Sequence, residues 1–503
     1  MRYALQGAFF PIETSASRLG LVKQETSVTD LLSGGSVKYR AARKKEFMRI
    51  AKRSVALVVP VLSLAAGLAV LPGDGDAAPV QRRCTAGTFD GKRLLVLSDA
   101  TMPASAFMDG RLEPGGRGAG GARDALTVID LPLRVGVPGL EGPPPVSGET
   151  EVDNSVVGPP YGMAVSPDGR LVYVLRTRGN PPPGVTEVGN VFTGLPSEAV
   201  VSVVDIADAR RPKLIQKIRV GRHAHTLSLS PDGTLLAINT DEPGRNIVLH
   251  RVERNGRVGA EKLAAAGAPS VRRVGRIEWH PSGRYLALGI PFADEIRFFE
   301  VGNSGRTLKP WGAPVRVGKF PDEGVFTDDG RFYLSTDLQW GDDVPGHFHD
   351  PPPGTITAVA FDASRGRHRV TGRAKTDISP EGIAVSPDGR RVVTGNLTHS
   401  WRPWNDERLT PRSSIDLLDL DPGSGRLSAR QRLAVDGVLT EGITFDASGD
   451  HVALSVFDRF DPRRRRGAVK FFDLSGGPDC SRLSPTHAEL EVPPGPHSLL
   501  VVR

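Results

Sequence analysis

Seven polar residues, Tyr161, His225, Arg276, Glu323, Glu381, Glu441 and His497, each stand at the entrance to a short alternating apolar run. Brought to one place, three carboxyl groups, two imidazoles and a guanidinium have the chemistry to open an ester or lactone. Arg276 would polarise the carbonyl, and His225 or Glu381 would activate water. The same set could bind a small molecule or a divalent cation. It could equally line a water-filled channel and satisfy neighbouring backbone groups, and residue types alone do not separate these readings.

Two loops add candidates. The stretch "DLQWGDDVPGHFHDPPP" (337–353) holds His347, His349 and Asp350 beside Asp342 and Asp343, and a His-x-His pair with carboxylates is a transition-metal donor set if the loop folds inward. A Pro-rich loop is also an ordinary place for solvated polar residues. "NLTHSWRPWNDE" (396–407) offers Asn396 and His399 as ligand contacts, with Trp401 and Trp404 as a pocket floor or as loop packing. There is no G-x-S-x-G, H-E-x-x-H, phosphate-binding glycine loop, C-x-x-C-H or EF-hand pattern. With no announced nucleophile, the sequence favours non-catalytic binding of a small molecule or cell-envelope component, and lactone or ester hydrolysis is the alternative.

The elements that must position these residues are repeated hairpins. "YGMAVSPDGRLVYVLRT" (161–177) alternates apolar and polar residues on both sides of a tight turn, and five further copies carry turn glycines at Gly233, Gly283, Gly330, Gly389 and Gly449. With Gly169 these lie 47 to 64 residues apart, the range of one propeller blade with variable loops. A third apolar run follows each hairpin and a weaker fourth follows most, which predicts an all-β fold of four-stranded antiparallel blades. The chain ends in "PGPHSLLVVR", an inner-strand pattern without its turn, whereas "FDGKRLLVLSD" near the start has a turn and second strand but a poor inner strand. Pairing the two closes a seven-bladed ring and removes two exposed edges. The long inserts 99–124, 176–198, 337–353 and 396–412 then all join second to third strands on one face, where recognition usually resides.

The formal net charge of +7 is concentrated at the start: residues 1–77 carry +5 and the remainder +2. A near-neutral ring argues against a nucleic-acid partner, and the run Arg463 to Arg466 has no interleaved aromatics. From Met48, a basic start, an apolar stretch from Val55 to Leu71 and small residues at Gly75 and Ala77 read as a signal peptide over 48–77. Residues 1–47 then read as a non-native extension from a start codon assigned too early, and 78–503 as a monomeric propeller, secreted or periplasmic. Membrane attachment follows only if the signal stays uncleaved. Cys84 and Cys480 fall after the signal, and strand direction puts both on the bottom face at the seam, where a ring-closing disulfide would form; two free thiols are the alternative.

The repeated "SPDGR" with "VYV" or "VVTGN" resembles the seven-bladed YVTN and lactonase-like propellers over about 84–503. "GRHAHTLSLSPDG" is the closest local match to the lactonase group, whose histidines precede an inner strand near the reaction site; the resemblance therefore implies His223 and His225 as site residues. The next blade departs from that group, reading "GIPFADE" where an Asn-Glu would follow the second strand.

Overall fold

The computed structural model describes residues 87–503 apart from 113–121, 136–147, 154–160, 241, 243–245, 264–270, 272, 404, 459–465 and 476–481. The expectations for 1–47, 48–77, Cys84, Cys480, Trp404 and most of the arginine run lie outside the described residues. Residues 81–503 form one compact unit.

The turn chemistry builds the hairpins. In the first full copy the Ser166 hydroxyl accepts from the Leu171 N–H at 2.8 Å, Asp168 accepts from the Arg170 N–H at 3.0 Å, and Gly169 sits at φ 72°. Ser, Asp and a left-handed Gly are thus each used for a distinct reason. The motif recurs with Ser230, Asp232 and Gly233, and with Ser386, Asp388 and Gly389.

Seven antiparallel four-stranded sheets result. Blade 1 is Pro496–Val502, Arg93–Ser98, Ala125–Asp130 and Gly148–Glu151. Blade 2 runs from Met163–Val165 to Lys213–Gly221, blade 3 from Ala224–Leu229 to Val258–Leu263, and blade 4 from Ile277–Trp279 to Thr307–Pro310, with Val315–Arg316 added to its third strand. Blades 5, 6 and 7 begin at Pro321–Phe326, Pro380–Val385 and Ile443–Phe445. First strands of successive blades contact one another around a closed ring, so they line its centre. Closure is as the sequence predicts: Arg93 pairs with Val502 and Leu97 with Ser498.

Each pair of neighbouring blades encloses its own apolar core, because second and third strands such as Leu171–Arg176 and Ala199–Asp205 are buried on both faces, while fourth strands such as Arg369–Lys375 are partly exposed. An eighth core is different. Met102, Ala106 and Leu112 from the blade 1 insert, Val191 and Leu195 from the blade 2 insert, and Leu397 and Trp401 from the blade 6 insert pack together with Leu439 and Phe457. These inserts do not stand apart as recognition loops; they pack into a roof. The first two are laced by backbone bonds from Leu112 to Thr186 and from Val188 to Gly110.

Candidate functional site

All inner strands run in the same sense, so their entrances share one face. Neighbouring entrances approach very closely, and this explains the recurring Glu-Gly pairs. A Cβ on Gly382 would lie 2.1 Å from the Glu441 carbonyl oxygen, and one on Gly442 would lie 3.0 Å from that of His497. Gly382 and Gly442 admit the next inner strand, whereas Gly324 makes room for the Tyr333 ring of its own blade. β-Bulges at the entrances of blades 3, 5 and 6 break the strict alternation of side chains there. In blade 5 this lets the consecutive Asp322 and Glu323 join one electrostatic cluster.

Tyr161 crosses the ring from blade 2 to blade 6. Its hydroxyl accepts from the Ile383 N–H at 2.9 Å and donates to the Ile383 carbonyl, satisfying an inner-strand edge that would otherwise face the channel. The Arg276 guanidinium lies 4.7 Å over the Tyr161 ring and donates to the Tyr161 carbonyl at 3.3 Å. It also pairs with Glu278 and stands 3.9 Å from Glu323. Together these side chains plug the channel.

Against the plug lies an acidic cluster. Glu323 is 1% exposed and Glu441 2%, and both oxygens of Glu323 and Oε2 of Glu441 have no hydrogen-bond partner. Burial raises Glu323, Glu381 and Glu441 well above the usual carboxylate range. For Glu323 the Arg276 charge opposes the rise, while Asp322, Glu381 and Glu278 add to it. For Glu381 the Asp322 charge adds and Arg273 opposes. Glu441 is raised further by Glu381, Asp322, Glu323 and Asp99. Asp322 is itself raised by burial, against Arg273. Carboxyls so placed share protons rather than ionise together. The roof reaches this cluster through Phe192, whose ring lies 5.7 Å from the Arg273 guanidinium.

No protein-family model matches this sequence, and no curated protein does either. Solved structures match it by shape. A periplasmic gluconolactonase from Pseudomonas aeruginosa superposes with a TM-score of 0.54 at 19% identity, over 82% of this chain and 99% of that one. A putative 6-phosphogluconolactonase from Bacteroides fragilis gives 0.52 at 14% identity, over 82% and 98%, and a protein from Lactobacillus plantarum 0.53 at 12%, over 82% and 100%. The chain shares the seven-bladed β-propeller fold of these structures.

Within that fold, Tyr161, Arg276, Glu323, Glu381 and Glu441 are brought into one cluster. His225 and His497 are buried at the entrances of their own strands, and burial pushes the His497 imidazole down to about 3, leaving it neutral. His223 is half-buried at φ 49° just before its strand. Asn396 is not at the channel: it is buried between strands of blade 6, donating to Ser414 Oγ at 3.1 Å and Asp416 Oδ2 at 3.2 Å. His399 joins the loop region instead, 3.0 Å from Asp350. His347, His349 and Asp350 are exposed, and among the described residues no three His, Cys, Asp or Glu side chains converge as metal ligands. His349 is pushed down by burial and by the charges of Arg402 and Arg408. Sequence reasoning that takes one residue per blade misses Asp99, Arg273, Glu278 and Asp322. Glu278 was findable, since a residue two positions from Arg276 lies on the same strand face.

Proposed function

We propose that the protein is a lactonase-like hydrolase that opens a lactone by adding water. The observation that carries this is the cluster of buried carboxyls, their proton affinity raised by burial and by one another, beside two guanidinium groups, an arrangement suited to general acid–base work. Among Asp322, Glu381 and Glu441, an ionised member takes a proton from water as its oxygen attacks the carbonyl carbon. A protonated member delivers a proton to the ring oxygen as the acyl C–O bond breaks. The cluster's proton count is unchanged, and the product is the hydroxy acid.

Nε of both Arg273 and Arg276 is buried without a hydrogen-bond partner, but the terminal nitrogens of Arg276 are committed to Glu278 and to the Tyr161 carbonyl, so Arg273 is the better candidate to hold the carbonyl oxygen. This reading ranks hydrolysis above the non-catalytic binding that the sequence favoured, since a binding role gives no reason to bury mutually repelling carboxyls. The lactonases among its fold neighbours support the same ranking, and an exported location is part of the proposal. Base-consumption assays on an aldonolactone panel should show hydrolysis above the spontaneous rate, reduced about 100-fold or more in Glu381→Gln and Asp322→Asn. Wild-type rates no faster than spontaneous hydrolysis across the panel would refute it.

A further inference from the structure

We propose, resting on the hydrolase reading, that the site takes an uncharged, hydroxyl-rich lactone and rejects its phosphorylated counterpart. Six carboxyl groups, Asp99, Glu278, Asp322, Glu323, Glu381 and Glu441, act on one another's charge, and among the described residues Arg273 and Arg276 are the cations that oppose the rise in Asp322, Glu323 and Glu381. Arg276 is already engaged by Glu278, by Glu323 and by the Tyr161 carbonyl and ring. Arg273 acts on both Asp322 and Glu381. Of the other buried guanidiniums on this face, Arg178 donates to the carbonyls of Thr177, Ala224 and Phe192, and Arg402 of the blade 6 insert is paired with Asp406.

A phosphoryl group brings roughly 1.5 to 2 negative charges and needs cations that are not already balanced. Here the surplus is acidic, and Asp322, Glu323, Glu381 and Glu441 are all buried. Protonated carboxyls, by contrast, both donate and accept hydrogen bonds, the pairing that sugar hydroxyls require. The same surplus repels the product, because opening the lactone creates a carboxylate.

The test uses the full-length protein with glucono-1,5-lactone and its 6-phosphate as substrates, and the corresponding non-hydrolysable lactams as calorimetric ligands. The neutral compound should be preferred on the order of 100-fold in kcat/KM and in binding, the size expected for a like-charge juxtaposition. Glu381→Gln with Asp322→Asn should narrow the preference between the lactams. If neither lactone is hydrolysed but the neutral lactam binds preferentially, the hydrolase reading fails and the charge selectivity stands. Equal or tighter binding of the phosphorylated lactam, or no binding of either, overturns the selectivity whatever the turnover.

Discussion

Removing residues 496–503 tests how the ring is held shut. The side chains of the last strand alternate between two cores. Leu499, with half-buried Val501, packs between blades 7 and 1, and Val502, with half-buried Leu500, packs between blades 1 and 2. Two fully buried aliphatic side chains contribute about 1.5 to 3 kcal/mol each, and two half-buried ones about half that, for roughly 5 to 9 kcal/mol in all. This is comparable with the whole stability of a typical domain, about 5 to 15 kcal/mol. The truncation also strips the hydrogen-bonding edge from Arg93–Ser98. Urea denaturation should therefore show either no cooperative transition or a large fall in midpoint, with light scattering reporting association through the bared edge. Leu499→Ala and Val502→Ala, facing different cores, should destabilise nearly additively. A truncated protein that unfolds at the full-length midpoint, or strong coupling between the two point changes, would refute the stapling argument.

Three further outcomes follow from the same structure. The folded-state affinities of Glu323, Glu381 and Glu441 for protons are raised, so their contribution to stability is present below the ordinary carboxyl range and lost as pH rises through the folded-state values. Glu441→Gln should match the wild type near pH 4 and become increasingly more stable than it toward pH 8; a pH-independent difference in urea midpoint would contradict this. His451 is buried 3.0 Å from Asp446 and 3.4 Å from Asp473; burial opposes its charging, but Asp446 overcomes that and raises it. Its stabilisation is full below the ordinary imidazole range and lost above the folded-state value, so His451→Ala should cost about 3 to 5 kcal/mol at pH 6 and less at pH 9 in calorimetric melts. Gly382→Ala should cost about 1 to 3 kcal/mol by denaturation, because its Cβ would meet the Glu441 carbonyl oxygen; a neutral result would mean the inner strands shift freely.

The fold was legible because its signals are local and repeated: a Ser-Pro-Asp-Gly turn specifies its own hydrogen bonds, and the orphan strand "PHSLLVV" needed a partner that only the first blade lacked. Much of the site was legible for the same reason, since equivalent positions in a ring must converge. What escaped were features set by departures from repetition. Asp322 joins Glu323 because a bulge suspends alternation at that entrance. Arg273 lies before its strand, and its bearing on Asp322 and Glu381 is set by tertiary placement, not by the repeat. Asn396 read as a ligand contact at the start of the 396–407 stretch, yet Asp416 and Ser414 draw it into the blade. The roof was invisible for a further reason: its apolar residues are spread over three inserts with no common period.

Roof and plug together account for the site's chemistry. Tyr161 closes the channel on one side of the carboxyls, and the packed inserts cover the other. The burial that raises the carboxyls' proton affinity therefore comes from loops as well as from the ring. Those loops are also the part of the molecule least constrained by strand pairing. They hold two helices of one turn each, Ala106–Asp109 and Val191–Gly194, and cohere through side chains contributed by separate blades. Parting them would break a single apolar core and leave all seven interblade cores intact, which makes the roof the cheapest route by which a substrate can reach the cluster. Because burial raises the carboxyls' proton affinity, a change that loosens Trp401 or Val191 from the roof should shift the pH dependence of stability that Glu441 confers.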